Sequence, residues 1–251
     1  MDESVHGCGL AISRHYNCLA LVREQILRHG LIDPARLVQA PCGVAPEFSP
    51  TPADIEIPQE AASAIAGGFL LHVGSCIPRK RIDVLLDVFA RCSKDHPELW
   101  LIQVGGEWTP EQSRQIQRLG IGSRAIQLSR LERPALAELY RKSRLVLMTS
   151  EAEGFGLPLV EALACGAIVI ASDIGVFREV AGGAAIYCRL ADVEDWHLRI
   201  RGLLSGAEVP PPLQMRLEWA RQYSWAAHAN IIANTYRRFV AAEHAEGGTL
   251  F

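Results

Sequence analysis

Residues 150–166 read SEAEGFGLPLVEALACG. An apolar run at 145–148, Leu-Val-Leu-Met, stops just before them, which predicts a strand ending at a short loop. The loop holds Glu151, Glu153, Gly154, Phe155 and Gly156. Pro158 follows where the first turn of a helix should begin, a position at which proline is tolerated because the first helical N–H groups have no intrahelical partner. Strand, tight loop and helix start together offer free backbone N–H groups to an anion. Two acids bracket the element, Glu153 in the loop and Glu161 in the helix.

The chain around this stretch alternates in the same way from Gly68 onward. Apolar runs predict strands at 69–73, 100–104, 125–128, 145–148, 168–171 and 185–187. Helical spacing predicts helices at 79–94, 110–119, 134–143, 157–165 and 176–181 between them. Strands that are apolar throughout, separated by amphipathic helices, imply an α/β fold: a Rossmann-like parallel sheet with helices on both faces. Such sheets bind ligands at the carboxyl ends of the strands, where the strand order reverses. Helices alone follow, at 193–204, 213–221 and 224–242, the last with Ser224 as its expected N-cap.

The segments before the alternation are of another kind. Residues 1–45 hold one expected helix, 19–29 closed by Gly30, and one strand-like run at 37–40. One helix and one strand cannot bury a core alone, so this segment reads as a remnant of a further domain. Residues 46–67 are expected as a linker, since prolines crowd there at 46, 50, 52 and 58. Residues 68–242 then form the main domain and 243–251 a tail.

Composition narrows the function classes. A net charge of −3 and a pI near 6.2 give no reason to expect nucleic acid as the partner. Seven cysteines are scattered without a C-x-x-C pair, which reads as reduced thiols rather than a zinc site or a disulfide framework. The opening MDESVHGCGL has acids where a signal peptide needs a basic region. No apolar run approaches the roughly 18 residues of a membrane span. The expected location is the cytoplasm, with peripheral association to a membrane. P-loop, G-x-G-x-x-G, HExxH and G-x-S-x-G patterns are absent, and no metal-ligand spacing occurs.

A second candidate loop follows the first strand of the alternation. Gly74-Ser75-Cys76-Ile77-Pro78-Arg79-Lys80-Arg81 ends in three consecutive cations. With Arg79 and Lys80 in the first turn of the next helix, their charges oppose the helix dipole and each other. A multiply charged anion resolves that conflict, with lysine as a point charge and arginine as a bidentate fork. The same residues also suit a solvated basic surface. Glu161 is open in the same way. Its helix is apolar nearly all round, so a buried carboxylate there needs a partner such as paired ribose hydroxyls; alternatively it is an exposed first-turn acid favoured by the dipole. Glu153 on its own also fits an ordinary loop acid, and His72 and His228 read as core or surface residues.

Together these residues resemble the family 4 (group 1) retaining glycosyltransferases of the GT-B fold. The carriers are HVGSCIPRK at 72–80, the stretches 136–140 and 145–150, EGFGLPLVEALACG at 153–166 with its spaced glutamates, ASDIGVFREVAGGAA at 171–185, and Tyr223-Ser224-Trp225 before a long helix. The resemblance covers roughly residues 68–242, as the C-terminal half of a GT-B fold. It implies transfer of a sugar from a nucleotide sugar, most often UDP- or GDP-linked, to the hydroxyl of a glycan or lipid-linked glycan, without a cofactor or metal. It implies that Lys80, with Arg79, neutralises the leaving diphosphate and that Glu153 bonds hydroxyls of the sugar. Backbone at Gly154, Phe155, Gly156 and Leu157 meets sugar and phosphates, Glu161 takes the ribose, and Gly74 and Ser75 line the phosphate loop. Loops at Gly105 and Leu131 line the base pocket. Ser75 stands where the family often has arginine, and most of the family's first domain is missing. A separate N-terminal GT-B domain or a homo-oligomer is therefore an expected partner. Two other readings are a nucleotide-sugar-binding half that needs a partner chain, and another GT-B enzyme such as a sugar-nucleotide epimerase.

Overall fold

In the computed structural model of the chain, residues 15–17 and 19–246 are described. The expectations for Cys8, Cys18, the opening decapeptide and the last five residues of the tail lie outside them, as does the side chain of Phe239. Six strands form one parallel sheet: β3 (Phe69–Val73), β4 (Trp100–Val104), β5 (Ala125–Leu128), β6 (Leu145–Met148), β7 (Val169–Ser172) and β8 (Ile186–Cys188). Two more, β1 (His15–Asn17) and β2 (Leu37–Gln39), pair parallel in a small sheet of their own. The helices are α1 (Ala20–Arg28), α2 (Ala62–Gly67), α3 (Ile82–Asp95), α4 (Pro110–Leu119), α5 (Arg133–Lys142) and α6 (Leu157–Ala164), followed by α7 (Gly175–Ala181), α8 (Val193–Ser205), α9 (Leu213–Ala220) and α10 (Trp225–Glu246).

Apolar residues at most strand positions feed two cores, with His72, Gln103, Gln127 and Ser172 as the polar exceptions near the carboxyl ends. On β3 and β6, Phe69, Leu71, Val73, Val146 and Met148 join the core on one face. Their neighbours Leu70, Leu145 and Leu147 join the core on the other. This follows from the two-residue period of a strand: a run without polar gaps must be covered on both sides. Nine residues of α3 are buried in covering the second face. Each large aliphatic or aromatic side chain so buried stabilises the fold by about 1.5–3 kcal/mol.

The strand order is β5-β4-β3-β6-β7-β8. The chain runs outward from β3 to β5, returns past it to β6, and runs outward the other way. The order therefore reverses between β3 and β6, and the loops leaving these two strands lie side by side at their carboxyl ends.

Three expectations need correction. The last helix, α10, runs to Glu246, so residues 243–246 are helix rather than tail. The proline-rich stretch 46–67 is not linker throughout. Phe48 is buried, meeting Tyr140 edge-on at 5.9 Å, and residues 62–67 are helical with Ala64 fully buried. The alanines Ala61, Ala62 and Ala64 carry helix propensity that the proline count concealed. Arg79 and Lys80 do not begin a helix either. They belong to a 3₁₀ turn, Pro78–Lys80, and α3 starts only at Ile82. Between them Arg81 is left-handed at φ 50°, so the turn and the helix point in different directions. Among the described residues no helix is long and apolar enough to cross a membrane.

Candidate functional site

Separating Arg79 and Lys80 from α3 places them against the other loop. Lys80 Nζ donates to Glu153 Oε1 at 2.5 Å, and Arg79 Nη1 to Glu153 Oε2 at 2.7 Å. Ser150 Oγ also donates to Glu153 Oε1, at 2.7 Å. The side chains of Lys80 and Glu153 are 7% and 5% exposed, so the pair is buried. Arg79 is exposed, and its Nη1 also donates to the Ala152 carbonyl at 2.9 Å. Burial pushes the Glu153 carboxyl upward; hydrogen bonds from Lys80 and Ser150 and the Lys80 charge outweigh it, and the group rests below the usual carboxylate range.

Backbone links lock the two loops together. Thr149 Oγ1 donates to the Lys80 carbonyl at 2.8 Å, and the Glu151 N–H to the Arg79 carbonyl at 2.9 Å. A Cβ built at Gly74 would lie 3.3 Å from Lys80 Nζ and 3.4 Å from His72 Cε1, so glycine leaves the ammonium room beside the strand end. Ser75 is exposed. Gly105 and Gly106, at φ 96° and 81°, bring the loop after β4 against this one; a Cβ at Gly106 would lie 3.0 Å from the Cys76 nitrogen. Gln103 Nε2 donates to the Gly74 carbonyl at 2.6 Å, and Gln127 Nε2 to Gln103 Oε1 at 2.7 Å, which fixes the first loop from below.

The acidic stretch forms the opposite wall. Gly156 is the N-cap of α6 at φ 88°, and a Cβ there would lie 2.9 Å from Phe177 Cε1. Phe155 is buried edge-on against Tyr223 at 5.5 Å. Gly154 is exposed with open space around it, and Leu157 is half-buried at the start of α6. No side chain caps that helix; Pro158 has no N–H and the Leu159 N–H donates to the Gly156 carbonyl at 2.9 Å, so the Leu157 N–H is the free donor of its first turn. Glu161, one turn further, accepts from Tyr140 Oη at 3.2 Å. Burial raises its carboxyl above the usual range, against the smaller effects of the Tyr140 bond and the Arg133 charge. It is neither fully buried nor a free surface acid. Leu131 stands apart from this cluster, half-buried beside an open groove of about 1080 Å3 between residues 55–59 and 130–135.

Ser150, Thr149 and Tyr140 are contacts that sequence patterning missed. The first two had a signal, as buried polar residues directly after an apolar strand. His72 is in the core, one of the two placements expected, but next to the site. Its register partner on β4 is Gln103, and both its ring nitrogens are buried without a hydrogen bond. Burial, then the Lys80 charge, lower its pKa to about 3, so the imidazole is neutral under the cation.

Residues 56–219 match the family model described as Glycosyl transferases group 1. The chain belongs to the group 1 glycosyltransferases. It is 30% identical over 245 residues to a D-inositol 3-phosphate glycosyltransferase of Geodermatophilus obscurus, covering 90% of this chain and 54% of that protein. It is 28% identical to the serotype-specific mannosyltransferase WbdA of Escherichia coli, over 68% of this chain and 22% of WbdA. The chain thus spans about half the length, or less, of the curated relatives it matches. Among solved structures, sucrose-phosphate synthase of Thermosynechococcus elongatus superposes with a TM-score of 0.74 at 23% identity, over 90% of this chain and 58% of that one. Anabaena HepE in complex with UDP and glucose does so with a TM-score of 0.78 at 21% identity, over 90% and 63%. At these identities the likeness is one of fold: the Rossmann-like parallel sheet of the GT-B class.

Proposed function

We propose that this chain is the donor-binding half of a family 4 hexosyltransferase that acts with retention and without a metal. Its donor in this reading is a nucleoside-diphosphate sugar, UDP- or GDP-linked, and its acceptor a glycan or lipid-linked glycan. The observation that carries the reading is the buried Lys80–Glu153 pair with Arg79 beside it, at the strand reversal and facing the uncapped start of α6. Two cations and one carboxylate leave one net positive charge for a diphosphate, and the Leu157 N–H at the start of α6 adds to it. Lys80 and Arg79 meet the diphosphate and hold its charge as the sugar departs. Glu153, already oriented by Ser150, accepts from hydroxyls of the sugar. Glu161 accepts from the ribose while keeping its bond to Tyr140. Backbone at 154–157 lies between these points, and the Gly105 and Leu131 loops flank the base. HepE, solved with UDP and with UDP-glucose, supports this class of donor.

Calorimetric titration with UDP, GDP, ADP and dTDP, with and without EDTA, tests the reading. One nucleoside diphosphate is expected to bind, equally in both conditions. Glu161→Ala should cost about 1.5–3 kcal/mol of that binding, the scale of a hydrogen bond to a charged group. Binding as tight as the parent's would refute the ribose role. Lys80→Ala should weaken the diphosphate far more than the nucleoside; equal losses would remove the phosphate contact.

One observation favours a narrower second reading, a nucleotide-sugar-binding half that turns over only with a partner chain or domain. Trp225, Tyr236 and Val240 of α10 are 46%, 60% and 48% exposed. Sustained turnover by the purified chain on a simple acceptor would exclude it.

A further inference from the structure

Helix α1 has no cap of its own. Its N-cap position is Leu19, whose side chain makes no capping bond, and its first turn holds no acid. A helix start of this kind leaves its leading N–H groups without partners. The partner comes from 158 residues away. Glu179, on α7, accepts from the Leu21 N–H through Oε2 at 2.8 Å, and through Oε1 from the Ala20 N–H at 2.5 Å. Next to it the two helices touch closely: a Cβ built at Gly175 would lie 3.1 Å from Leu21 Cδ2.

We propose that Glu179 is a positioning residue for sugar transfer: its carboxylate latches the N-terminal unit of β1, α1 and β2 to the donor side, and α7 joins that latch to the donor loop. The same short helix bears Phe177, against which Gly156 sits with no room for a Cβ. Glu179 also lies near Tyr223, whose phenol is pushed up by burial and then by the Glu179 charge. Tyr223 is the ring against Phe155. Both neighbours of the loop at 155–156 are thus within reach of the latch residue. A shift of the loop on taking up a ligand is felt at the α1 start, and a shift of α1 is felt at the loop.

Two readouts by NMR test this on the full chain, in the absence of any ligand. In Glu179→Ala, exchange of the Ala20 and Leu21 amides should quicken about tenfold, the scale of a lost helix cap, and the contact signal between the Leu21 methyls and Gly175 should vanish. Glu179→Gln, which keeps a neutral acceptor, should fall between that variant and the parent. Ala20→Glu separates latching from capping. An acid in the first turn favours the helix by itself, yet it repels Glu179, so α1 should stay helical while the Leu21–Gly175 contact is lost. An unchanged contact in either Glu179→Ala or Ala20→Glu overturns the latch. The coupling arm rests on the donor reading above and uses UDP and GDP. The nucleotide that binds should slow α1 exchange in the parent and leave it unchanged in Glu179→Ala. Equal slowing in both overturns the coupling, whereas failure of both nucleotides to bind the parent refutes the donor reading and leaves the latch to the ligand-free arm.

Discussion

Glu153 is the residue on which two charges and one hydroxyl converge, and its burial makes the arrangement all-or-none. Removing one partner of a buried ion pair strands the other charge, whereas replacing both by apolar groups is often tolerated. Glu153→Ala, which strands the buried Lys80 ammonium, is therefore expected to lower stability by about 3 kcal/mol in urea denaturation. Lys80→Met with Glu153→Leu should recover most of that loss while binding no diphosphate. The two glutamates also titrate with opposite signs. Glu153 lies below its unfolded value, so its stabilisation is complete above the ordinary carboxylate range and fades as pH falls through the folded value. Glu161 lies above its unfolded value, so its ionised form weakens the fold at neutral pH, and stability returns as pH falls through the raised value. Glu161→Gln should accordingly melt higher than the parent at pH 7, the gap closing towards pH of about 4. A group that destabilises the apoprotein yet faces the proposed ribose position fits the usual trade between stability and function.

At the scale of elements, the regular parts were legible and the junctions were not. All six strands of the large sheet lie where their apolar runs placed them, with β7 and β8 each shifted by one residue. Periodicity identifies these elements because a parallel strand buried on both faces has no polar gaps. The strand order, the β1–β2 pairing and α2 left no such trace, because they depend on contacts between distant segments. The Arg79–Glu153 bond spans 74 residues, and only the resemblance joined its two ends before the fold was known. The 3₁₀ turn escaped because Pro78 fits equally well at the start of a helix. Gly156 shows what such a junction demands. Its φ of 88° and its contact with Phe177 both exclude a side chain. Gly156→Ala should lose about 1–3 kcal/mol in chemical denaturation and weaken diphosphate binding with it.

For the whole molecule, the N-terminal unit and the large sheet with its helices meet along a line where the chain crosses twice. Val44 bridges Ser224, the Val44 N–H donates to the Tyr223 carbonyl at 3.1 Å, and His228 Nδ1 lies 2.9 Å from the Pro41 carbonyl. Gly43 permits this approach, since a Cβ there would lie 2.0 Å from the Trp225 nitrogen. Gly43→Ala should unseat the start of α10, costing about 3 kcal/mol and speeding amide exchange through its first turns. The crossing has a mechanical consequence as well. A body tethered by one peptide can tumble about that point, but a body tethered by two adjacent ones turns chiefly about the axis through both. Val44 and Ser224 are two such adjacent points, so any turning of β1, α1 and β2 against the large sheet is confined to the axis through them.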